Sequence, residues 1–590
     1  MKLTQHPALA LLAGLFVLSS ALSLAHAQPA DLVLVSGDVV TLAAQAEPAS
    51  AVAVRSGEII AVGSDAEIQP LIGSDTEVVD LAGRMLMPGF IEGHGHFLGL
   101  GESLMTLDLQ STRSFAELVD LVEEAVAAAQ PGDWITGRGW HQENWSEQGE
   151  DVVDGVPGHQ VLSAVSPNNP VFLRHASGHA ALANALAMEM AGITAQAPDP
   201  EGGEIVRDGQ GRPTGFLRQA AQRPVRRQML VWFDGLGEAA RQTRFKRQVQ
   251  LASGEALRHG VTGFHDQGQR FDAIDRLIAL DEQGGLPLRL YVAVIGETNA
   301  DLDRRLADYR RLPSGDRMLA VRAVKRHLDG ALGTHGAWLL RPYADRPDRS
   351  GLPQMSLDDL RQTAEIAYRH GFQLNTHAIG DRANREALSI YAAIRQEAGP
   401  TPLRWRIEHA QTLHPDDVPR FAELDVIASM QGIHATSDGP WVPQRLGMER
   451  ARREAYVWRS LLDSGATICN GTDVPVERIS PIASLHASIT REMANGERFF
   501  PEQAMDRLEA LKSYTVHCAF AAFEEDRVGT IEVGKLADLV VLDRHLLTVS
   551  EGDLAQARVD LTIVNGEIRY RRQVDGAGSA YSEEARLSSQ

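Results

Sequence analysis

Cysteine is nearly absent: Cys469 and Cys518 are the only two in 590 residues. They form no CxxC pair, so a structural zinc finger is excluded. Cys469 lies in an apolar, strand-like run and Cys518 in a helical pattern, and both read as small core residues. Basic residues are also scarce. Lys and Arg number 57 against 78 Asp and Glu, a net charge of -21, which argues against a nucleic-acid partner because phosphates require basic surface. The arginines between Arg223 and Arg247 are diluted by apolar residues at helical spacing and read as a solvated helix face. Beyond the first 27 residues no run is apolar enough to span a bilayer.

The opening segment is different. Met1 to Ala27 has a positive start at Lys2, an apolar stretch from Leu9 to Leu24 and a small-x-small site at Ala25-His26-Ala27. That is the pattern of a cleaved secretory signal peptide. The expected mature protein starts at residue 28, is soluble, and is periplasmic or secreted.

From Asp31 to Val79 short β runs alternate with turn residues, and the same grammar returns at Ala537–Asp543 and Leu561–Ile568, with an Asn565-Gly566 turn signal. Two strand-rich ends around a mixed middle predict a discontinuous β-sandwich domain, residues 28–85 and 529–572, followed by a flexible tail at 573–590. Between them, apolar β runs at 86–96, 260–266, 288–296, 321–329, 372–378, 404–410, 426–431 and 467–473 alternate with amphipathic helical segments. Eight such units predict an α/β fold, a (β/α)8 TIM-like barrel over 86–528. The competing dinucleotide-binding sheet lacks its third glycine, because Leu98 stands there. The span of about 98–255 is too long for one connection and reads as an insertion over the barrel mouth.

The first barrel run ends in Glu92-Gly93-His94-Gly95-His96. On a strand, residues i and i+2 point the same way, so both imidazoles can reach one metal ion. Downstream runs end in Lys325, His377, His409 and Asp473. Each residue alone fits a bland role: a hydrogen-bonded core histidine, a paired lysine, a turn aspartate. Their coincidence at separate strand ends points to a metal site, since such ends converge in a barrel. Imidazole and carboxylate suit zinc, iron, manganese or nickel. Two metals close together can share a hydroxide and polarise a carbonyl.

Several longer motifs carry a specific resemblance: PGFIEGHGHF (88–97), GWHQENW (139–145), SGHAALANALAM (177–188), GVTGFHD (260–266), VKRHLDGALGTHGAW (324–338), NTHAIGDRANREAL (375–388), RIEHAQ (406–411), MQGIHATSD (430–438), NGTDVPVE (470–477) and GTIEVGKLADLVVLDR (529–544). Together they resemble the amidohydrolase superfamily, in the amidohydrolase-3 group that contains YtcJ-like proteins and N-substituted formamide deformylase. The resemblance implies that His94 and His96 hold a buried metal and that His377 and His409 hold a second. It further implies that Lys325 bridges them as a lysine carboxylated by carbon dioxide. Asp473 would bind metal and act as general base and acid. Zinc is the expected divalent metal, two per chain. Residues touching the substrate or supporting the metal ligands would include Trp140, His141, Trp145, His179, His265, Asp266, Asp329, His434 and Asp438. His141 and Ser177 stand where many members carry an acid, which leaves the substrate open.

The implied activity is hydrolysis of a C–N bond in an amide, N-formyl or cyclic amide, a small-molecule substrate. Esterase or lactonase chemistry uses the same hydroxide. A mononuclear deaminase would make Lys325 superfluous as a bridge, and a non-catalytic regulatory protein would not need an intact ligand set. Self-association is not legible in the sequence.

Overall fold

The structure, a computed structural model, describes residues 28–573 except 46, 143–144, 147–151, 154, 176–179, 201, 400 and the side chain at 234. The expected signal peptide, His179 and residues 574–590 of the expected tail lie outside the described residues.

Eight parallel strands form one sheet: β1 (Phe90–Gly95), β2 (Val261–Gln269), β3 (Arg289–Val294), β4 (Leu319–His327), β5 (Gln373–Ala378), β6 (Arg406–His409), β7 (Ile427–Gln431) and β8 (Ile468–Gly471). Each pairs with the next in chain order. The sheet closes on itself just past the end of β8. There the Asp473 amide donates to the His94 carbonyl at 2.7 Å and the His96 amide to the Val474 carbonyl at 2.8 Å. Strands such as β3 are buried throughout, because helices cover the outside and side chains fill the inside. The connections follow sequence rules. The helix Leu357–His370 starts at Ser356, whose hydroxyl accepts from the Asp359 amide, and stops at Gly371 with φ 70°, where only glycine adopts the left-handed turn without strain.

Both chain ends contribute to a pair of small sheets. One contains Leu32–Val35, Ala51–Arg55, Glu58–Gly63 and Glu77–Asp80; the other contains Asp38–Val39, Met85–Pro88, Leu539–Leu542, Val559–Val564 and Glu567–Arg571. Leu34, Val52, Leu86, Val541 and Ile563 share the core between them. The Asn565-Gly566 turn has φ of 52° and 77°, the two positive values that a tight hairpin needs.

Three sequence expectations change here. The run read as one strand over 86–96 breaks at Gly89: Met85–Pro88 pairs with Leu539–Leu542, and only Phe90–Gly95 enters the barrel. Between β1 and β2 the added six-stranded sheet occupies only Leu107–Gln219. The helices flanking it, Phe97–Leu104 and Glu238–Arg258, pack on each other, and a Cβ at Gly101 would stand 2.2 Å from the Gln248 carbonyl oxygen. Finally, Cys469 and Cys518 are fully buried, as expected of core residues, but they are joined in a disulfide that ties β8 to the helix Val516–Ala521. Among the described residues, no helix is long and apolar enough to cross a membrane.

Candidate metal centre

At the C-terminal end of the barrel, β1, β4, β5, β6 and the residues after β8 bring the expected ligand types together. The His94 Nε2 lies 3.5 Å from Asp473 Oδ1, and the His96 Nε2 lies 3.2 Å from the same oxygen. The His94 and His409 rings are 4.6 Å apart, as are those of His377 and His409. Two groups offer ligand atoms within 4.8 Å of one another: His94, His96 and Asp473, and His409, His434 and Asp473. His434, expected only around the site, therefore joins the donor set from the helix Gly432–Asp438 that follows β7.

Backbone geometry aims these side chains. His409 has φ 74° and Asp473 φ 59°, left-handed values that cost a non-glycine residue free energy and recur where function needs a particular direction. Close backbone approach does the rest. A Cβ at Gly471 would stand 2.5 Å from the His94 amide nitrogen.

The site is electrically unusual. His94 Nε2, Lys325 Nζ, His377 Nε2 and Asp473 Oδ1 are buried without a hydrogen-bond partner. Buried polar atoms are normally paired, so four orphans clustered at this end of the barrel fit divalent cations that would satisfy them. Burial keeps His377 and His409 well below the usual imidazole pKa, and the neutral ring is the form that binds metal. Burial raises the pKa of Asp473, but the His94 and His96 imidazoles close to it outweigh that and hold the carboxyl well below the usual range. The Lys325 amine is pushed down to about 8 by burial, against the pull of Glu408 and Asp473. Such an amine reaches its neutral form near physiological pH.

Around these groups lie residues that the motifs contain but that the reading of single positions passed over. Glu408 Oε2 sits 2.5 Å from His94 Nδ1, which fixes the tautomer that leaves Nε2 for a metal. Burial raises the Glu408 carboxyl while His94 and Lys325 lower it more, to about 2. Gln431 Oε1 holds His409 Nδ1 at 2.8 Å in the same way. His327 lies two residues after Lys325 on β4, and its ring is 5.0 Å from that of His377. Its same-face spacing from Lys325 was the available signal.

The other expected residues divide. Asp329 accepts from the amides of Trp338, Ile379 and Gly380 at 2.8, 3.0 and 2.8 Å, and lies 3.6 Å from His377 Nε2. Asp438 accepts from the Tyr456 hydroxyl at 2.5 Å. Asp266 is buried and accepts from the Gly268 amide and Gln269. His265 lies deeper in the barrel, beside Gly93 and within reach of the His94 charge. It accepts from Arg406 at 3.0 Å and lines, with Arg289, Tyr291 and Asp538, a cavity at the opposite end of the barrel. Trp140 and Trp145 do not line the site either; they stack at 5.6 Å within the core of the inserted sheet. His141 packs on His175 there, with ring centroids 4.5 Å apart.

Comparison with known proteins finds relatives over nearly the whole chain. The model of the Amidohydrolase family matches residues 77–570. Protein LONG AFTER FAR-RED 3 of Arabidopsis thaliana is 32% identical over 92% of this chain and 92% of its own. N-substituted formamide deformylase of Arthrobacter pascens is 29% identical over 92% of this chain and 99% of its own. An uncharacterized metal-dependent hydrolase from Pyrococcus horikoshii superposes with a TM-score of 0.71 at 27% identity, covering 88% of this chain and 99% of that one.

Proposed function

The chain belongs to the amidohydrolase family and is a metal-dependent hydrolase of C–N bonds, and from that premise we propose that it is an exported amidase acting on small N-formyl or N-acyl amides. The observation that carries the proposal is the convergence of unpartnered buried donor atoms from His94, Lys325, His377 and Asp473 at the barrel mouth. In this reading His94 and His96 would hold one metal and His377 and His409 a second, with Lys325, as a carbamate, and Asp473 completing the donor set. His434 stands ready beside His409 and Asp473. When bound, the metals supply Lewis acidity for the substrate carbonyl and for water.

The protein's own residues then manage protons. Glu408 and Gln431 hold the His94 and His409 rings in the ligating tautomer. The Asp473 carboxylate, kept ionised by its histidine neighbours, accepts the proton of the attacking water as the water oxygen bonds to the carbonyl carbon. It returns that proton to the nitrogen as the C–N bond breaks, which gives a carboxylic acid and an amine. An ester would be cleaved by the same steps with an alcohol leaving. The formamide end of the range is favoured because one relative is an N-substituted formamide deformylase.

Export rests on the first 27 residues and is supported by the Cys469–Cys518 disulfide, a bond that persists in oxidising compartments. The test is a panel of N-substituted formamides, N-acyl amines, cyclic amides and esters, assayed with zinc-loaded protein and again after chelation. Chelator-sensitive turnover of an amide is expected. Absence of turnover across the panel by protein shown to hold its metals would overturn the amidase assignment.

A further inference from the structure

Most arginines of this acidic chain are paired with a carboxylate, but two on the inserted sheet and one on the helix that follows it are not. Arg138 and Arg174 are register neighbours on the adjacent parallel strands Ile135–Trp140 and Val171–His175. Neighbouring strands lie about 4.8 Å apart, so the two side chains stand side by side. Phe172, on the same strand face as Arg174, packs with Ala221 and Val225, which brings Arg226 of the helix Arg223–Gly235 over the pair. Among the described residues none of the three guanidinium groups has a hydrogen bond or an ion pair. The Arg174 Nε is buried and unpartnered. Burial, then the charges of Arg226 and Arg138, lower the Arg174 pKa, so the three do sense one another. The nearest carboxylate in register, Asp108, is opposite Arg138 but accepts from the Gln110 amide of its own turn at 3.0 Å.

We propose that Arg138, Arg174 and Arg226 form a binding site for an oxyanion: the carboxylate, sulfate or phosphate group of a ligand. Planar guanidinium groups match such anions through paired N–H donors, and an anion would relieve both their mutual repulsion and the orphaned Arg174 Nε. Other arginines of the stretch read as a solvated helix face do have partners: Arg241 pairs with Glu238, and Arg244 with Glu102. Among the described residues Arg223, Arg226 and Arg227 have none, and of these Arg226 is the one whose charge acts on Arg174. The site borders the barrel mouth. The neighbouring Gly139 packs on Gln110, and Gln110 accepts at 2.9 Å from Arg478, five residues beyond Asp473 in the chain. The anion is therefore either the distal acidic group of a substrate or a free inorganic ion beside the entrance.

The experiment is calorimetric titration of the full-length, metal-loaded protein with inorganic phosphate, in wild type, Arg226→Gln and Arg174→Gln. Saturable binding is expected, weakened about tenfold or more in each variant, with metal content and melting temperature unchanged in Arg226→Gln. Equal affinity in wild type and both variants would place phosphate at the metal centre and overturn the proposal, as would an absence of saturable binding. These readouts need no turnover, so they succeed or fail apart from the amidase reading. With an amide substrate carrying a terminal carboxylate, competitive inhibition by phosphate that disappears in Arg226→Gln identifies the substrate's own acid as the ligand. Phosphate binding without competition identifies a free anion.

Discussion

Lys325 tests the two-metal reading most sharply. Its amine is enclosed in the barrel with no hydrogen-bond partner, and burial lowers its pKa from 10.5 to about 8. At pH 7 an amine of pKa 8 is neutral in about one molecule in ten, against about three in ten thousand at pKa 10.5, a gain of about 300-fold. Only the neutral amine attacks carbon dioxide; the new N–C bond releases a proton and leaves an anionic carbamate able to bridge two cations. The same shift sets a stability profile. The folded pKa lies below the unfolded one, so folding disfavours the protonated amine by about 3 kcal/mol at pH below 8. That cost fades as pH rises from about 8 to about 10.5. Metal-stripped protein should therefore gain stability across this window, and Lys325→Met should lack the gain. Elemental mass spectrometry after zinc reconstitution at pH 7 should find about two metals per chain with bicarbonate and about one in Lys325→Met. Two metals in the variant, or the same pH profile of melting in both proteins, would refute the reasoning.

Three further outcomes follow from the same contacts. Glu408→Gln removes the charge that holds His94 and should weaken metal binding by about 10- to 100-fold, measured by chelator competition; unchanged affinity would show that the 2.5 Å contact is incidental. Asp473→Asn should keep metal while turnover falls by about a hundredfold or more, and near-normal turnover would remove Asp473 from the proton path. The Cys469–Cys518 bond closes a loop of 49 residues, which corresponds to about 4 kcal/mol of chain entropy. Reductant should therefore lower the urea midpoint of wild type but not of Cys518→Ala, and an equal response in both would dismiss a structural role.

The barrel was legible because each strand is a short apolar run that ends in a change of chemistry, and burial on both faces leaves no alternation to confuse with a helix. His94, His96, Lys325, His377, His409 and Asp473 were legible because strand ends converge. What escaped depends on relations that local pattern does not encode. Met85 to Ile91 reads as one apolar run, and nothing local says that two different sheets claim its halves. Glu408 finds its partner 314 residues away. The two cysteines look like core residues because they are core residues; their bond depends on the packing of one helix against β8. Trp140 and Trp145 were assigned to a pocket, yet large aromatic rings bury more area in a sheet core than at a wet mouth, and the inserted sheet is where they lie.

The closing contacts of the barrel explain why so much of the site is non-local. Glu92, on β1, accepts from the Thr472 amide at 2.6 Å and the Thr472 hydroxyl at 3.0 Å, a pairing across 380 residues. The Asp473 amide binds the His94 carbonyl one residue on. The bonds that seal β1 to β8 are thus the bonds that set His94, His96 and Asp473 around one point. Burial raises the Glu92 carboxyl to about 7, even with hydrogen bonds from Thr472 drawing it down, so this clasp is a buried polar group whose loss leaves donors unsatisfied. Ligand geometry and barrel closure are one event. A metal that binds only the closed form stabilises that form by mass action, which makes the first and last strands, farthest apart in the chain, the pair through which metal binding and folding are coupled.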